Sequence, residues 1–269
     1  MSISLIILLS LGAFGGFTAG LLGVGGGMIL VPFLTFIFAQ QGMSGELVTH
    51  VAIATSMATI VFTSLSSVYA HQKKGAVRWD IVAAIVPGVL VGTVIGGKVF
   101  KWMPTGPLVL FFALFVGFSA WQMIANRKPK PSRKMPGKIG TAGAGGVIGF
   151  LSSLVGAGGG FLSVPFMSWC NVPMHNAVAT SAALGFPIAV FASLNNIWNT
   201  YDMPGLPPHS LGYINLLALV CISVVSVLTA PLGAKLAHKL NVAQLKKTFG
   251  LVLFALAAYM LYQGIRLTL

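Results

Sequence analysis

The chain has 269 residues, of which 56% are hydrophobic and only 7% are charged. A soluble domain carries roughly 25% charged residues because water faces its surface, so this composition excludes an ordinary soluble protein. The formal net charge is +13, but the basic residues lie in short gaps between apolar runs, where the positive-inside rule explains them without a nucleic-acid partner.

Eight apolar runs follow one another along the chain, and each is long enough to cross a lipid bilayer. A hydrocarbon core of ~30 Å takes about 20 helical residues. Six runs fit one crossing, whereas the first and fifth are too long and carry a glycine cluster near the middle, where a helix is expected to break. The sequence therefore predicts an all-α polytopic membrane protein. The runs occupy residues 2–39, 48–70, 80–100, 105–125, 139–170, 175–198, 210–237 and 243–265.

The chain repeats itself. Residues 16–33 align without gaps on residues 149–166, and both segments share a glycine triplet followed by Val-Pro-Phe. The pattern H-x-A-x-A-T-S then occurs at 50–56 and again at 175–181. Matches in the same order indicate a duplication. The predicted organisation is a first transmembrane repeat (1–125), a basic, proline-containing linker (126–138) and a second transmembrane repeat (139–269).

The basic residues indicate how the two repeats are oriented. If the first and fifth runs fold back at their glycines as re-entrant hairpins, every Lys and Arg shares the linker's face except Lys98, Lys101 and Arg266. A topology in which every run crosses once distributes the basic residues more evenly. Because basic loops stay in the cytoplasm, the sequence predicts two tandem inverted repeats in a bacterial inner membrane, with a cytoplasmic linker. Inverted repeats are common in secondary transporters.

The two glycine clusters are the first candidate binding site. A helix that restarts after a break points free N–H groups and the positive end of its dipole at the glycines, which favours an anion. Interrupted backbone at membrane depth is tolerated where it is buried or lines a cavity. The alternative is tight helix packing, as expected for Gly88, Gly92 and Gly96. The candidate substrate-binding glycines are Gly25, Gly26, Gly27, Gly158, Gly159 and Gly160.

Polar side chains in the second helix of each repeat are the second candidate. Hydroxyl groups there can donate to an anion, or else bond to a carbonyl of their own helix. Carboxamides deep in the sixth run need partners, which the protein or a substrate must provide. The candidates are Thr55, Ser56, Thr180, Ser181, Asn195 and Asn196.

The remaining polar residues indicate what the protein is not. No Asp or Glu lies within an apolar core, which argues against a cation carrier. No metal-ligand cluster, cofactor motif or catalytic constellation occurs, so we expect no enzyme and no cofactor. His50 and His175 are expected at helix starts, and Lys98 and Lys235 are expected to extend toward the membrane surface; whether any of the four touches a substrate stays open.

The residues GLLGVGGGMILVPF and SLVGAGGGFLSVPF, each followed by H-x-A-x-A-T-S, resemble the sulfite exporter TauE/SafE family of membrane permeases over essentially the whole chain. The resemblance implies transport, with export as the expected direction, of small sulfur-containing anions such as sulfite or sulfoacetate. The residues themselves indicate only an anion site of backbone and hydroxyl donors. Two alternatives are an anion channel and a membrane assembly subunit without transport. A homodimer through glycine-ridged helices is a further expectation.

Overall fold

The computed structural model of the chain describes residues 2–23, 26–125, 134–206, 208–237 and 242–268. Within these ranges, eight helices are long and apolar enough to cross a membrane, which confirms the all-α polytopic class. The helices are α1 (Ser2–Leu22), α2 (Gly27–Gln40), α3 (Gly45–Gln72), α4 (Trp79–Trp102), α5 (Thr105–Ile124), α6 (Lys138–Val155), α7 (Gly160–Trp169), α8 (Met174–Thr200), α9 (Leu216–Ala237) and α10 (Val242–Thr268). A short hairpin of β1 (Ser210–Leu211) and β2 (Ile214–Asn215) precedes α9.

The first and fifth apolar runs are each divided into two helices at the predicted glycines. Gly26 precedes α2 with φ of 72°, and Gly159 precedes α7 with φ of 76°. An L-residue pays roughly 1–2 kcal/mol for left-handed backbone, so glycine is favoured at both positions. A β-carbon at Gly26 would lie 2.6 Å from the carbonyl oxygen of Gly15. The start of α2 therefore lies beside the middle of α1.

Equivalent helices of the two predicted repeats make equivalent contacts. Helix α1 packs against α9, and its counterpart α6 packs against α4, which is the counterpart of α9. The pairs α3–α8 and α5–α10 join counterparts directly, while α3 also contacts α9 and α8 also contacts α4. Each half thus packs mainly on the other half, and the bundle has no boundary between two separate units. Residues 126–133, most of the predicted linker, lie outside the described residues.

Glycines bring the paired helices into backbone contact. A β-carbon at Gly88 would overlap the carbonyl oxygen of Ala142, and one at Gly92 would overlap that of Gly146. On the other side of the bundle, a β-carbon at Gly20 would overlap the carbonyl oxygen of Ala230. Small residues permit this close approach inside a bilayer, where packing drives association. The glycine ridge of α4 is therefore a helix-packing surface, as predicted.

Helices α3 and α8 form the centre of the bundle. In the apolar span of each of these helices 72% of the residues are buried, whereas in the spans of α9 and α10 only 33% are. The exposed faces of the outer helices are apolar, with side chains such as Leu228 and Leu232, as expected where lipid replaces water. Buried hydroxyls instead concentrate on α3, where Ser56, Thr59 and Thr63 are almost fully enclosed. The interior of the bundle is therefore more polar than its exterior, and a binding site for a polar ligand is expected at the centre.

Candidate functional site

The two helix breaks meet at the centre of the bundle. Gly27, the first residue of α2, lies so close to Gly156, just after α6, that a β-carbon on Gly27 would overlap the Gly156 carbonyl oxygen. Gly156 itself lies beside Ile53 of α3, and Gly23 lies beside Val178 of α8. The sequence separated the two glycine clusters by more than a hundred residues. The fold brings them together between α3 and α8.

The two predicted serines hold the breaks in place, each from the opposite half. The Oγ of Ser56 donates to the carbonyl oxygen of Gly156 at 3.1 Å, and the Oγ of Ser181 donates to that of Gly23 at 2.8 Å. Carbonyl groups at the end of an α-helix have no partner within the helix. Both serines are fully buried. Each hydroxyl therefore donates to a carbonyl oxygen that the helix break leaves without a partner in its own helix.

The two neighbouring threonines make a different contact. The Oγ1 of Thr55 accepts from the backbone N–H of Asn215 at 2.9 Å, and the Oγ1 of Thr180 accepts from that of Arg78 at 3.0 Å. Asn215 immediately precedes α9, and Arg78 immediately precedes α4. Each threonine thus bonds to the start of a helix in the opposite half. Their observed partners are backbone groups at these two helix starts.

The two predicted asparagines lie elsewhere. The Nδ2 of Asn195 donates to the carbonyl oxygens of Thr93 and Val94 in α4, both at 3.3 Å. Asn196 follows it and is buried. At ~1.5 Å per residue, Asn195 lies about 21 Å along α8 from Ser181. The structure does not bring this pair to the glycine breaks.

The candidate glycines fall into three positions. Gly26 and Gly159 precede α2 and α7, and Gly27 and Gly160 are the first residues of those helices. Gly158 lines a cavity between the breaks. Gly25 lies outside the described residues. Both α2 and α7 therefore begin where the two breaks meet.

A small cavity adjoins the two breaks. It leaves about 10 Å³ for the centre of a water-sized sphere, which is room for roughly one water. The Oγ of Ser67 is buried and has no hydrogen-bond partner among the described residues. The surface of the cavity is mostly apolar. A buried hydroxyl without a partner costs about 1–3 kcal/mol, so an occupant that accepts a hydrogen bond from Ser67 would recover this cost. Its lining is Ala19, Gly23, Ser64, Ser67, Gly158, Ser181, Ala182 and Gly185.

Ser64 and Ser67 were not among the candidates from sequence. They are spaced three apart on α3, so they share a helix face, and they follow Ser56 along a helix rich in hydroxyls. That spacing was the available signal. Which of these serines lacks a partner depends on contacts with other helices.

The positions that match the cavity on the other side of the bundle carry different side chains. Extending the alignment of residues 50–56 with 175–181 pairs Ser64 and Ser67 with alanines, Ala189 and Ala192. The same alignment pairs Ala182 and Gly185 with much larger side chains. These are Met57 and Ile60, which are completely buried in the apolar core. One side of the pair α3–α8, the open side, therefore has a cavity lined by small residues that include three serines, and the other, the closed side, is filled by large apolar side chains.

The histidines and lysines left open by the sequence lie at the ends of helices. The Nε2 of His50 donates to the carbonyl oxygen of Met103 at 3.1 Å, and its ring packs 5.0 Å from that of Phe100. His50 thereby attaches the start of α3 to the segment between α4 and α5. The side chains of His175, Lys98 and Lys235 are exposed. Among the described residues, no group of three or more His, Cys, Asp or Glu could hold a metal ion.

These features define a multi-pass membrane protein with two broken helices that meet beside a small buried cavity whose lining includes three serines. A family model described as sulfite exporter TauE/SafE matches residues 8–260. The chain belongs to this family, whose members are membrane transporters and not enzymes.

Relatives match the chain over nearly its whole length. A probable membrane transporter protein of Haemophilus influenzae is 32% identical over 257 residues, which cover 95% of this chain and 97% of that protein. The probable membrane transporter protein YunE of Bacillus subtilis is 28% identical over 284 residues, covering 97% and 99%. A probable membrane transporter protein of Methanocaldococcus jannaschii is 26% identical over 259 residues, covering 95% and 94%. No solved structure matches the chain.

Proposed function

We propose that this protein is a secondary transporter of small sulfur-containing anions, such as sulfite or sulfoacetate, in the bacterial inner membrane. The family description supports the substrate class and favours export as the direction. The chain's own residues support a small anion. Its three acids, Glu46, Asp80 and Asp202, lie outside the centres of the apolar runs, so no carboxylate repels an anion from the middle of the bundle.

The observation that carries the proposal is the meeting of two broken helices beside a buried cavity. Gly158 lines this cavity, and α7 starts two residues later. An anion in the cavity would therefore lie near the positive end of a helix dipole and within reach of backbone N–H groups. No residue that lines the cavity is charged. Neutral donors hold an anion without a fixed cation, which allows the release that each transport cycle requires.

Alternating access is the proposed mechanism. The exchange of helix contacts between the halves supports a two-fold relationship, and the distribution of basic residues supports inverted repeats with re-entrant hairpins and a cytoplasmic linker. In the described state the cavity has room for roughly one water, so an oxyanion requires its walls to separate. Movement of one part of the repeat pair against the other would open the cavity to one face of the membrane at a time.

Counterflow in proteoliposomes tests this function. Vesicles loaded with unlabelled sulfite or sulfoacetate should accumulate the labelled anion faster than empty vesicles, because a carrier exchanges substrate across the membrane. Acetate and sulfate inside the vesicles serve as comparison anions, and protein-free liposomes give the background. Unitary currents without exchange would indicate a channel. No flux of any of these anions above background would contradict the proposal.

A further inference from the structure

We infer that Ser67 and Gly185 determine which anions the central cavity accepts. Ser67 donates its hydroxyl to the bound anion, and the absence of a side chain at Gly185 provides room for the oxygens of a small oxyanion. This inference rests on the proposed transport function and assigns the substrate contacts within it. Neither residue was singled out as a binding residue by its sequence motif.

Among the three serines of the cavity, only Ser67 has a hydroxyl proton that no described group accepts. The Oγ of Ser64 donates to the carbonyl oxygen of Val61 in its own helix at 3.2 Å. The Oγ of Ser181 donates to Gly23 and accepts from the Oγ of Ser163 at 2.9 Å. The Oγ of Ser67 is without a partner in the described part of the chain although the residue is only 2% exposed. Ser67 is therefore the side-chain donor available to a ligand.

Gly185 is a glycine that the fold does not require. A β-carbon there would lie 3.4 Å from the carbonyl oxygen of Gly158 and 3.6 Å from the Cβ of Ser64, which are ordinary contacts. At Gly27, by contrast, a β-carbon would overlap backbone. Glycine inside a helix costs roughly 1 kcal/mol relative to alanine. Since packing does not explain Gly185, the space that it leaves between α3 and the second break does.

The counterpart positions support the same assignment. Where the open side has Ser67 and Gly185, the closed side has Ala192 and Ile60. The closed side thus lacks both the free donor and the space. The two differences occur together, as expected if one side of the pair binds the anion.

The Gly185→Ala variant tests the contribution of space. Wild-type and variant protein would be compared in proteoliposomes for the KM of sulfite, methanesulfonate and sulfoacetate, and for melting temperature. We expect a melting temperature equal to or above that of the wild type, with a KM that rises least for sulfite and about tenfold or more for the bulkier anions. Gly117→Ala is the matched control, because a β-carbon there lies 3.7 Å from Ala257, away from the cavity; it should likewise keep or raise the melting temperature and leave the KM of every anion unchanged.

The Ser67→Ala variant tests the donor. A hydrogen bond to a charged group is worth enough to raise the KM of every transported anion by about tenfold or more. Ser119→Ala is the control, since the Oγ of Ser119 donates only to Phe115 of its own helix in α5. An unchanged KM in Ser67→Ala would show that this serine holds a structural water only, and would overturn its assignment.

These outcomes separate the inference from the proposed function. If the wild type transports the anions and a folded Gly185→Ala variant keeps the KM of the whole series, the role of Gly185 is wrong and the transporter stands. A marked loss of melting temperature in Gly185→Ala would also overturn it, because glycine would then be a packing requirement. Absence of flux in the wild type would instead remove the proposed function.

Discussion

The two sides of the central helix pair, α3 and α8, make the same contacts with the helix breaks but carry different side chains. On both sides, a serine of one half donates to the carbonyl oxygen at the helix break of the other half. One and four residues further along each helix, the sides diverge: the open side has Ala182 and Gly185 next to the unpaired hydroxyl of Ser67, and the closed side has Met57 and Ile60. The repeated backbone thus positions both breaks, while side-chain divergence leaves a cavity beside them on the open side.

The largest effect is expected where a substitution disturbs the contact between the two helix breaks. Gly27→Val should abolish folding, because its β-carbon would overlap the carbonyl oxygen of Gly156 and separate the two breaks. The measurement is the fraction of monodisperse protein after extraction in mild detergent. Gly143→Ala is the control, since nothing lies within 4 Å of a β-carbon there. Wild-type yield and melting temperature in Gly27→Val would show that the breaks do not pack as described.

A smaller but substantial effect is expected on the closed side. Ile60→Ala should lower the free energy of unfolding by about 2–5 kcal/mol, because it leaves a cavity in a well-packed core. The same change should leave the relative KM values of sulfite and sulfoacetate unaltered, since the proposed substrate contacts lie on the open side. Denaturant unfolding and proteoliposome kinetics give the two quantities. A change in anion preference without loss of stability would place substrate on this side too.

The two central serines should be similar in stability and different in transport. Ser56→Ala and Ser181→Ala each leave a buried carbonyl without its partner, at a cost of about 1–3 kcal/mol. Ser181 and its acceptor Gly23 both line the cavity, so only Ser181→Ala leaves an unpaired carbonyl oxygen beside the proposed anion and should also raise the KM. Thermal unfolding and kinetics on both variants check this. Equal effects on the KM would mean that the two sides are functionally equivalent.

The smallest effect is expected for the neighbouring threonines. Thr55→Val and Thr180→Val remove the acceptors for the N–H groups of Asn215 and Arg78. Because these two hydrogen bonds are only partly buried, unlike those of the central serines, each variant should lose about 0.5–1.5 kcal/mol. Transport should be unchanged at temperatures where both variants are folded. Melting temperatures together with counterflow rates give the result. A transport defect in a fully folded threonine variant would indicate substrate contact there.

The sequence was sufficient for the class and for the breaks. Two apolar runs too long for one span, each with three consecutive glycines, predict interrupted helices, and the paired motifs show that the breaks belong together. The sequence did not show which groups each polar residue contacts. Thr55 and Ser56 are adjacent, yet one bonds a helix start and the other a helix break, because neighbours on a helix face different directions. Their partners lie in the opposite half, which no local pattern reveals.

Asn195 and Gly185 illustrate the remaining limits in opposite ways. The carboxamide of Asn195 in an apolar run indicates that it needs a hydrogen-bond partner, but only the fold shows that α4 provides this partner. A single glycine in a helix carries no signal of its own. Its meaning comes from the atoms around it, since the same residue type is forced by backbone contact at Gly88 and free of such contact at Gly185.

The most direct test of the account is to give the open side the side chain of the closed side. Gly185→Ile copies Ile60 into the matching position and would fill the cavity between the breaks. Counterflow of labelled sulfite should then fall to the level of protein-free liposomes. Isoleucine is larger than the cavity and should cost about 1–3 kcal/mol of stability, so flux is measured below the melting temperature of the variant, where it is monodisperse and helical by circular dichroism. Wild-type exchange by the folded Gly185→Ile protein would show that the anion passes elsewhere and would contradict the account.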